Sequence, residues 1–450
     1  MDKKLFGTDG IRAVAGSYPL DRPTVRVLGR ALARLLSASG LEPRVLMGRD
    51  TRESGPWIEQ AFTAGVLAGG GEAVSAGVIP TSAVSFLTGR HGFSAGVVFS
   101  ASHNPFQDNG IKIFSPAGTK IPDEWEASLE RAVHEAEPAQ EGRQASSGSH
   151  DGGLAEGYLE HLKERVRLPA GGKRGKVVLD CSNGAGSSLA PRLYEELGFE
   201  VVPIHASPDG RNINCGCGSL HPESLARKVV ETGAVFGAAF DGDADRAVWA
   251  DETGRVLNGD HTLFVQSLFM RETGRLRSNR VVATTMSNMG LEIALKRAGL
   301  GLVRTRVGDK YVLEEMVRLG CNLGGEQSGH TIFLDDLNTG DGILTSLKML
   351  EAMVHKDRSL SELVQGLEEF PQVLVNVRVA AKKPFADFPE ITAAAESVRA
   401  RLGGEGRLDL RYSGTEPLAR IMVEGRDISE VKAMAAELAD VIKRHLGAPE

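Results

Sequence analysis

Ser100, Ser102, His103 and Asn104 stand at the end of an apolar run, in F-S-A-S-H-N-P-F-Q-D-N-G-I-K-I-F over residues 99–114. Apolar residues that run from Gly96 to Phe99 and stop at Ser100 read as a buried strand opening into a polar loop. Pro105 restricts Asn104 to extended conformations, so the loop does not continue as a helix. Ser102 is therefore expected at the carboxyl end of a strand, where open α/β sheets bind ligands and carry out chemistry. The same residues also suit an Asx or Ser/Thr turn. His103 and Lys112 lie close by and could move protons or stabilise charge.

Asp241, Asp243 and Asp245 alternate in D-G-D-A-D-R, ahead of Arg246. In an ideal strand all three point to one side. Three carboxylates at that spacing repel one another in a partly dry site, and a divalent cation removes the penalty. Carboxylate oxygens in a short loop suit Mg²⁺, which keeps further positions for water and phosphate. A solvated acidic turn or a calcium loop is the alternative. Near the C-terminus, L-R-Y-S-G-T-E-P (410–417) is followed by Arg420. Arg411 and Arg420 offer planar forks that match phosphate oxygens. Ser413 and Thr415 add hydroxyls, and Gly414 lets backbone N–H groups approach an anion. G-G-E-Q-S-G-H (324–330) sets Glu326, Ser328 and His330 among glycines, a hydrogen-bonding set that suits a polyol. His330 reads equally well as a satisfied core histidine.

A phosphate clamp, a cation loop, a polyol loop and a serine at a strand end belong together in phosphoryl transfer, which needs positioning and charge neutralisation more than acid–base power. Mg²⁺ could neutralise a phosphoryl group carried on Ser102. No Walker loop is present, so the phosphate is expected to come from the enzyme itself rather than from a nucleotide.

Three stretches must position these groups. Val45–Gly48, Val177–Asp180 and Val281–Ala283 each begin a strand–turn–helix–glycine–strand sequence, the order of a βαβ unit. Each copy leads to a further apolar run that stops at one of the polar loops: Ser100–Asn104, Asp241–Arg246 and Gly325–His330. Equivalent strand ends in three similar domains could face one cleft. Glu137–Gly153 reads as an exposed loop, Leu154–Val166 as an amphipathic helix and Pro169–Gly172 as a linker. Val373–Val377 opens a strand pattern in a last, smaller domain. The expected divisions are 1–165, 166–254, 255–370 and 371–450.

The 450 residues exceed one hydrophobic core. A net charge of −7 without a long basic cluster argues against nucleic-acid binding. No apolar run is long enough for a membrane span, and the N-terminus lacks a signal-peptide core. Cys181, Cys215, Cys217 and Cys321 are too few and scattered for a disulfide framework. Cys215-Gly-Cys217 lacks a second Cys or His pair at the usual spacing, so a zinc site is not expected. A reducing cytoplasm is the expected compartment.

The motifs S-A-S-H-N-P, D-G-D-A-D-R, G-E-Q-S-G-H and R-x-S-G-T-E-P, in this order, resemble those of the α-D-phosphohexomutase superfamily along essentially the whole chain. F-G-T-D-G-I-R, N-G-I-K and T-G-D-G-I are most similar to its bacterial phosphoglucosamine mutase branch. Ala13, Tyr412 and Asn104-Pro-Phe106 depart from the usual pattern without removing a proposed ligand. The resemblance implies an α/β fold: three similar α/β domains with mixed sheets, and a smaller C-terminal α+β domain, round a central cleft. It implies interconversion of glucosamine 6-phosphate and glucosamine 1-phosphate on the route to UDP-N-acetylglucosamine, with glucosamine 1,6-bisphosphate as intermediate. Ser102 would be the phosphorylated residue, and with Asp241, Asp243 and Asp245 it would hold one Mg²⁺. His103, Lys112, Arg12 and Arg246 would line the reacting centre. Glu326, Ser328 and His330 would bind the sugar; Arg411, Ser413, Gly414, Thr415 and Arg420 would grip the other phosphate. The partners implied are small sugar phosphates and a second copy in a homodimer. A glucose or mannose phosphate mutase, and a non-catalytic sugar-phosphate sensor, are the competing readings.

Overall fold

A computed structural model describes residues 5–7, 9–136, 148–168, 174–413 and 417–448. The chain divides into two compact units, Met1–Thr284 with Thr305–Gln365, and Thr285–Arg304 with Gly366–Glu450.

In the first unit, a six-stranded sheet runs in the order Ile11–Val14, Asp108–Phe114, Ala95–Phe99, Arg44–Arg49, Glu72–Val78, Ser149–His150. Ala95–Phe99 is parallel to Arg44–Arg49 on one side and antiparallel to Asp108–Phe114 on the other. The second sheet repeats this plan: Phe236–Phe240 is parallel to Lys176–Asp180 and antiparallel to Ala247–Asp251. So does the third, where Leu323–Gly325 is parallel to Arg280–Thr284 and antiparallel to Thr331–Phe333. Each of these three strands is buried along its length, as expected of strands covered on both faces. Each turns back into its antiparallel neighbour through one of the polar loops singled out above. The mixed sheets therefore place equivalent loops at equivalent sheet ends.

The second unit holds an antiparallel sheet, Gln372–Arg378, Leu418–Glu424 and Arg407–Tyr412. Helix Ile428–Leu446 buries Val431, Met434, Ala435, Leu438 and Ile442 in that unit's core, a helical stripe with a period near 3.6.

Some expectations change in detail. Glu137–Gly153 is described only from Gly148; Ser149–His150 forms a sheet edge strand and Gly153–Glu164 a helix. The Pro169–Gly172 linker lies outside the described residues. The third repeat is divided, because Thr285–Arg304, with helix Met289–Arg297, clusters with the C-terminal segment. Among the described residues no helix is long and apolar enough to cross a membrane. All four cysteines are free, and only Cys215 is exposed.

Helices Arg22–Ala38 and Gly55–Ala68 touch backbone to backbone. A Cβ at Gly65 would lie 2.1 Å from the Arg26 carbonyl oxygen, and one at Gly29 would lie 2.3 Å from that of Phe62. Gly65→Ala is expected to lower unfolding stability by about 1–3 kcal/mol through overpacking. Urea denaturation reads this directly, and an unchanged midpoint would refute the contact.

Candidate active site

Ser102 sits where its strand ends, buried and in the left-handed region at φ 51°. A non-glycine residue persists there only when its surroundings enforce it. Arg52 supplies most of that enforcement. It is fully buried, pairs with Asp50 through Nε at 2.8 Å, and donates to the carbonyls of Ser102 (3.0 Å), Asn104 (2.8 Å), Asp108 (2.9 Å) and Pro105. Asn214 Nδ2 donates to the Ser102 and Asn104 carbonyls from the other side, at 2.9 and 3.1 Å. Ser100 Oγ donates to Asp50 and accepts from the Ser102 N–H. The loop is thus held as a rigid cage around one exchangeable hydroxyl.

That hydroxyl donates to Asp241 Oδ2 at 2.6 Å and lies 3.3 Å from His103 Nδ1. Asp241, Asp243 and Asp245 are all buried, and their carboxylate oxygens gather within 4.8 Å of one another. Alternation along a strand is not what gathers them. Residues 241–245 form a turn, with Ala244 at φ 57°. Gly242 is required here for space, because a Cβ would lie 2.5 Å from the Ser102 carbonyl oxygen.

Lys112, from strand Asp108–Phe114, reaches Asp243 at 2.9 Å, Asp9 at 3.1 Å and Asp245 at 3.4 Å. Thr81 donates to Asp243 at 2.6 Å. Arg246 Nε lies 3.7 Å from Asp245 and 3.9 Å from Asp241. Arg12 pairs with Asp9 at 2.5 Å. Burial opposes the charge on Asp245, but Lys112, His330 and Arg246 outweigh it and hold the carboxyl well below its usual range. Asp241 lies on the other side of the balance: burial and the two neighbouring carboxylates push it up. Burial, with Arg246 and Arg12, brings His103 down to about 4, so its ring is neutral near pH 7.

Asp243 Oδ1 and Asp245 Oδ1 are buried without a hydrogen-bond partner. Buried carboxylate oxygens left this way call for a cation. A cluster of oxygen donors alone suits Mg²⁺.

The sugar-type loop joins the same unit. Arg246 and His330 form a β-bridge, and Glu326 Oε1 accepts from the Gly308 N–H at 3.1 Å. His330 is buried, with Nδ1 3.7 Å from Asp245. Burial disfavours its cation while nearby carboxylates draw its pKa up to about 9. The Gly340 N–H approaches Nε2 at 3.0 Å and donates to it in this geometry. Buried and hydrogen-bonded in this way, His330 has the surroundings of a satisfied core histidine. Ser328 is exposed.

In the second unit, Arg411 and Arg420 are directly opposed on antiparallel strands, which puts both side chains on one face. Like charges so placed repel. Asp409 pairs with Arg411 at 3.1 Å, and Ser413 is buried beside them in sequence. Gly414 and Thr415 lie outside the described residues.

Arg52, Asp50, Asn214 and Thr81 were absent from the sequence-based set. For Arg52 a signal existed: D-T-R directly follows a strand end, where a charged pair has no reason to be buried unless it holds something. Asn214 and Thr81 carry no such mark, since their partners lie 112 and 162 residues away.

Four domain models of the phosphoglucomutase/phosphomannomutase family match the chain: α/β/α domain I at residues 3–140, domain II at 156–254, domain III at 258–370 and the C-terminal domain at 374–441. The phosphoglucosamine mutase of Solibacter usitatus is 47% identical over 99% of this chain and all of its own length. That of Syntrophotalea carbinolica is 47% identical over 99% of both. Among solved structures, a phosphoglucomutase/phosphomannomutase family protein from Burkholderia thailandensis superposes with a TM-score of 0.79 at 24% identity, covering 98% of this chain and 97% of that one. N-acetylphosphoglucosamine mutase from Aspergillus fumigatus, in complex with GlcNAc-6P and magnesium, gives 0.71 at 19% identity, covering 98% and 95%. These last two share the fold. The sequence relatives go further: this chain belongs to the phosphoglucomutase/phosphomannomutase family, and within it to the phosphoglucosamine mutases.

Proposed function

We propose that the protein interconverts glucosamine 6-phosphate and glucosamine 1-phosphate in the cytoplasm through a phosphorylated Ser102. The observation that carries this reading is the Ser102 hydroxyl 2.6 Å from Asp241, inside a buried carboxylate triplet. In the first half-reaction the Ser102 Oγ–phosphorus bond breaks, a bond from a sugar hydroxyl oxygen to that phosphorus forms, and the proton the sugar hydroxyl gives up restores the Ser102 hydroxyl, giving glucosamine 1,6-bisphosphate. In the second, the bond between the other phosphoryl group and its sugar oxygen breaks, a bond from Ser102 Oγ to that phosphorus forms, and the proton Ser102 gives up restores the sugar hydroxyl.

Asp241, Asp243, Asp245 and the Ser102 phosphate would hold Mg²⁺. When bound, the ion neutralises these anions and draws charge from the transferring phosphoryl group. Lys112 and Arg246, both bonded or close to the triplet, add fixed positive charge beside the reacting oxygens. His103 and Arg12 complete the lining of that centre. Glu326, Ser328 and His330 bind the sugar. Arg411, Ser413, Gly414, Thr415 and Arg420 take the phosphate that is not reacting, which relieves the repulsion between the two opposed arginines. Arg52 is a positioning residue: its guanidinium hydrogen-bonds loop carbonyls and Asp50, and acts by holding Ser102 in place.

A panel of glucosamine, glucose and mannose 6-phosphates is expected to give the highest kcat/KM for glucosamine; a clear preference for mannose would overturn the substrate. Ser102→Ala should lose at least about a thousandfold in turnover. Intact-mass measurement after incubation with the bisphosphate should find one phosphate on the parent chain and none on the variant; an unphosphorylated parent would favour a sensor. Chelation should abolish turnover, and Mg²⁺ should restore it. Arg52→Lys should lower kcat by about a hundredfold through misplacement of Ser102, with KM for the sugar phosphate nearly unchanged. A KM rise with kcat intact would remove the positioning role.

A further inference from the structure

The second sheet carries another group of ligand side chains, made of residues other than the aspartate triplet. Asp180 closes strand Lys176–Asp180, His205 follows strand Glu200–Ile204, and Cys217 arrives from the loop beyond it. Ligand atoms of all three lie within 4.8 Å of one another. His205 Nδ1 is 3.0 Å from Asp180 Oδ2. The carboxylate is aimed by backbone: Oδ1 accepts from the Ser182 N–H at 2.9 Å and Oδ2 from the Gly218 N–H at 3.0 Å. Such supporting bonds are what orient metal-ligating carboxylates.

Two further features mark the place. Ser182, Asn183, His205 and Asn214 all occupy the left-handed region, at φ 50°, 50°, 47° and 58°. Four non-glycine residues in that conformation around one cluster mean that the fold enforces it, as happens at functional sites. Access is also provided. Asp180 and Cys217 are buried, but the His205 side chain is 33% exposed, so an ion can enter and a water can complete its coordination.

We propose that Asp180, His205 and Cys217 form a second cation site, for a borderline-soft divalent ion of the zinc class rather than for Mg²⁺. A carboxylate, an imidazole and a thiolate are the donor types such an ion selects, whereas Mg²⁺ disfavours sulfur. A tetrahedral ion with bonds of about 2.0–2.3 Å fits this spacing with small side-chain movements. One carboxylate and one thiolate balance a double positive charge, and the neutral imidazole adds none. Binding breaks the Cys217 S–H bond, forms a sulfur–metal bond and releases the proton to water. Cys215-Gly-Cys217 has no partner pair along the chain; the tertiary structure supplies one from residues 180 and 205. The site adjoins Asn214, which holds the Ser102 loop.

Titration of the full-length, chelator-treated chain with Co²⁺ tests this. One equivalent should produce a thiolate-to-cobalt absorption band that Zn²⁺ then bleaches. The aspartate triplet has no sulfur and cannot give that band. Cys217→Ser should abolish it, Cys215→Ser should keep it, and His205→Ala, on the exposed side, should weaken Co²⁺ binding by at least about tenfold. Circular dichroism checks that each variant is folded; should Cys217→Ser fail to fold, His205→Ala decides alone. No sulfur band in the parent chain, a band that survives Cys217→Ser, or unchanged affinity in His205→Ala would overturn the site.

Discussion

Three carboxylates held together out of water dominate the energetics of the first unit. Unit charges about 4 Å apart interact by about 4 kcal/mol at an effective dielectric near 20, so Asp241, Asp243 and Asp245 cannot gather unless other groups offset their repulsion. Lys112 is the main offset within the chain, bonded to Asp243 and near Asp245 and Asp9. Thr81 and the Ser102 hydroxyl contribute neutral hydrogen bonds. Asp243 Oδ1 and Asp245 Oδ1 still lack a hydrogen-bond partner. The arrangement is therefore incomplete within the chain, and the three carboxylates could hold a metal ion that completes it.

The scaffold makes this concentration of charge possible by repetition. In each of three sheets a fully buried strand turns back into an antiparallel neighbour, and the turn carries candidate site residues. One such turn supplies the hydroxyl, the second the carboxylates and the third the imidazole and Glu326. Small residues allow close approach at these turns: Gly242 against the Ser102 carbonyl, and Gly329 against the Ala247 carbonyl, where a Cβ would lie 2.4 Å away.

Much of this was legible along the chain. The strand ends at Phe99 and Phe240 were visible because buried strands are continuous apolar runs that stop sharply. The donor types at 102, 241, 243 and 245 announced phosphoryl and cation chemistry, since few other reactions need a hydroxyl and clustered carboxylates. Their convergence was open between the alternation of an ideal strand and a short loop, and a tight turn with Ala244 in the left-handed region brings it about. Propensity patterns do not reveal which small residue takes a positive φ.

What the order of amino acids determined by itself was local: where strands end, which loops are polar, and which functional groups each loop offers. Tertiary structure alone decided which distant groups meet. Arg52 became the clamp of the serine loop because folding buries it against four carbonyls, and Thr81 reached Asp243 across 162 residues. The same holds for Asp180, His205 and Cys217, which share no spacing along the chain. Hydrogen bonds and coordination depend on separations of a few ångströms in space, and sequence spacing encodes these only within a single strand, turn or helix.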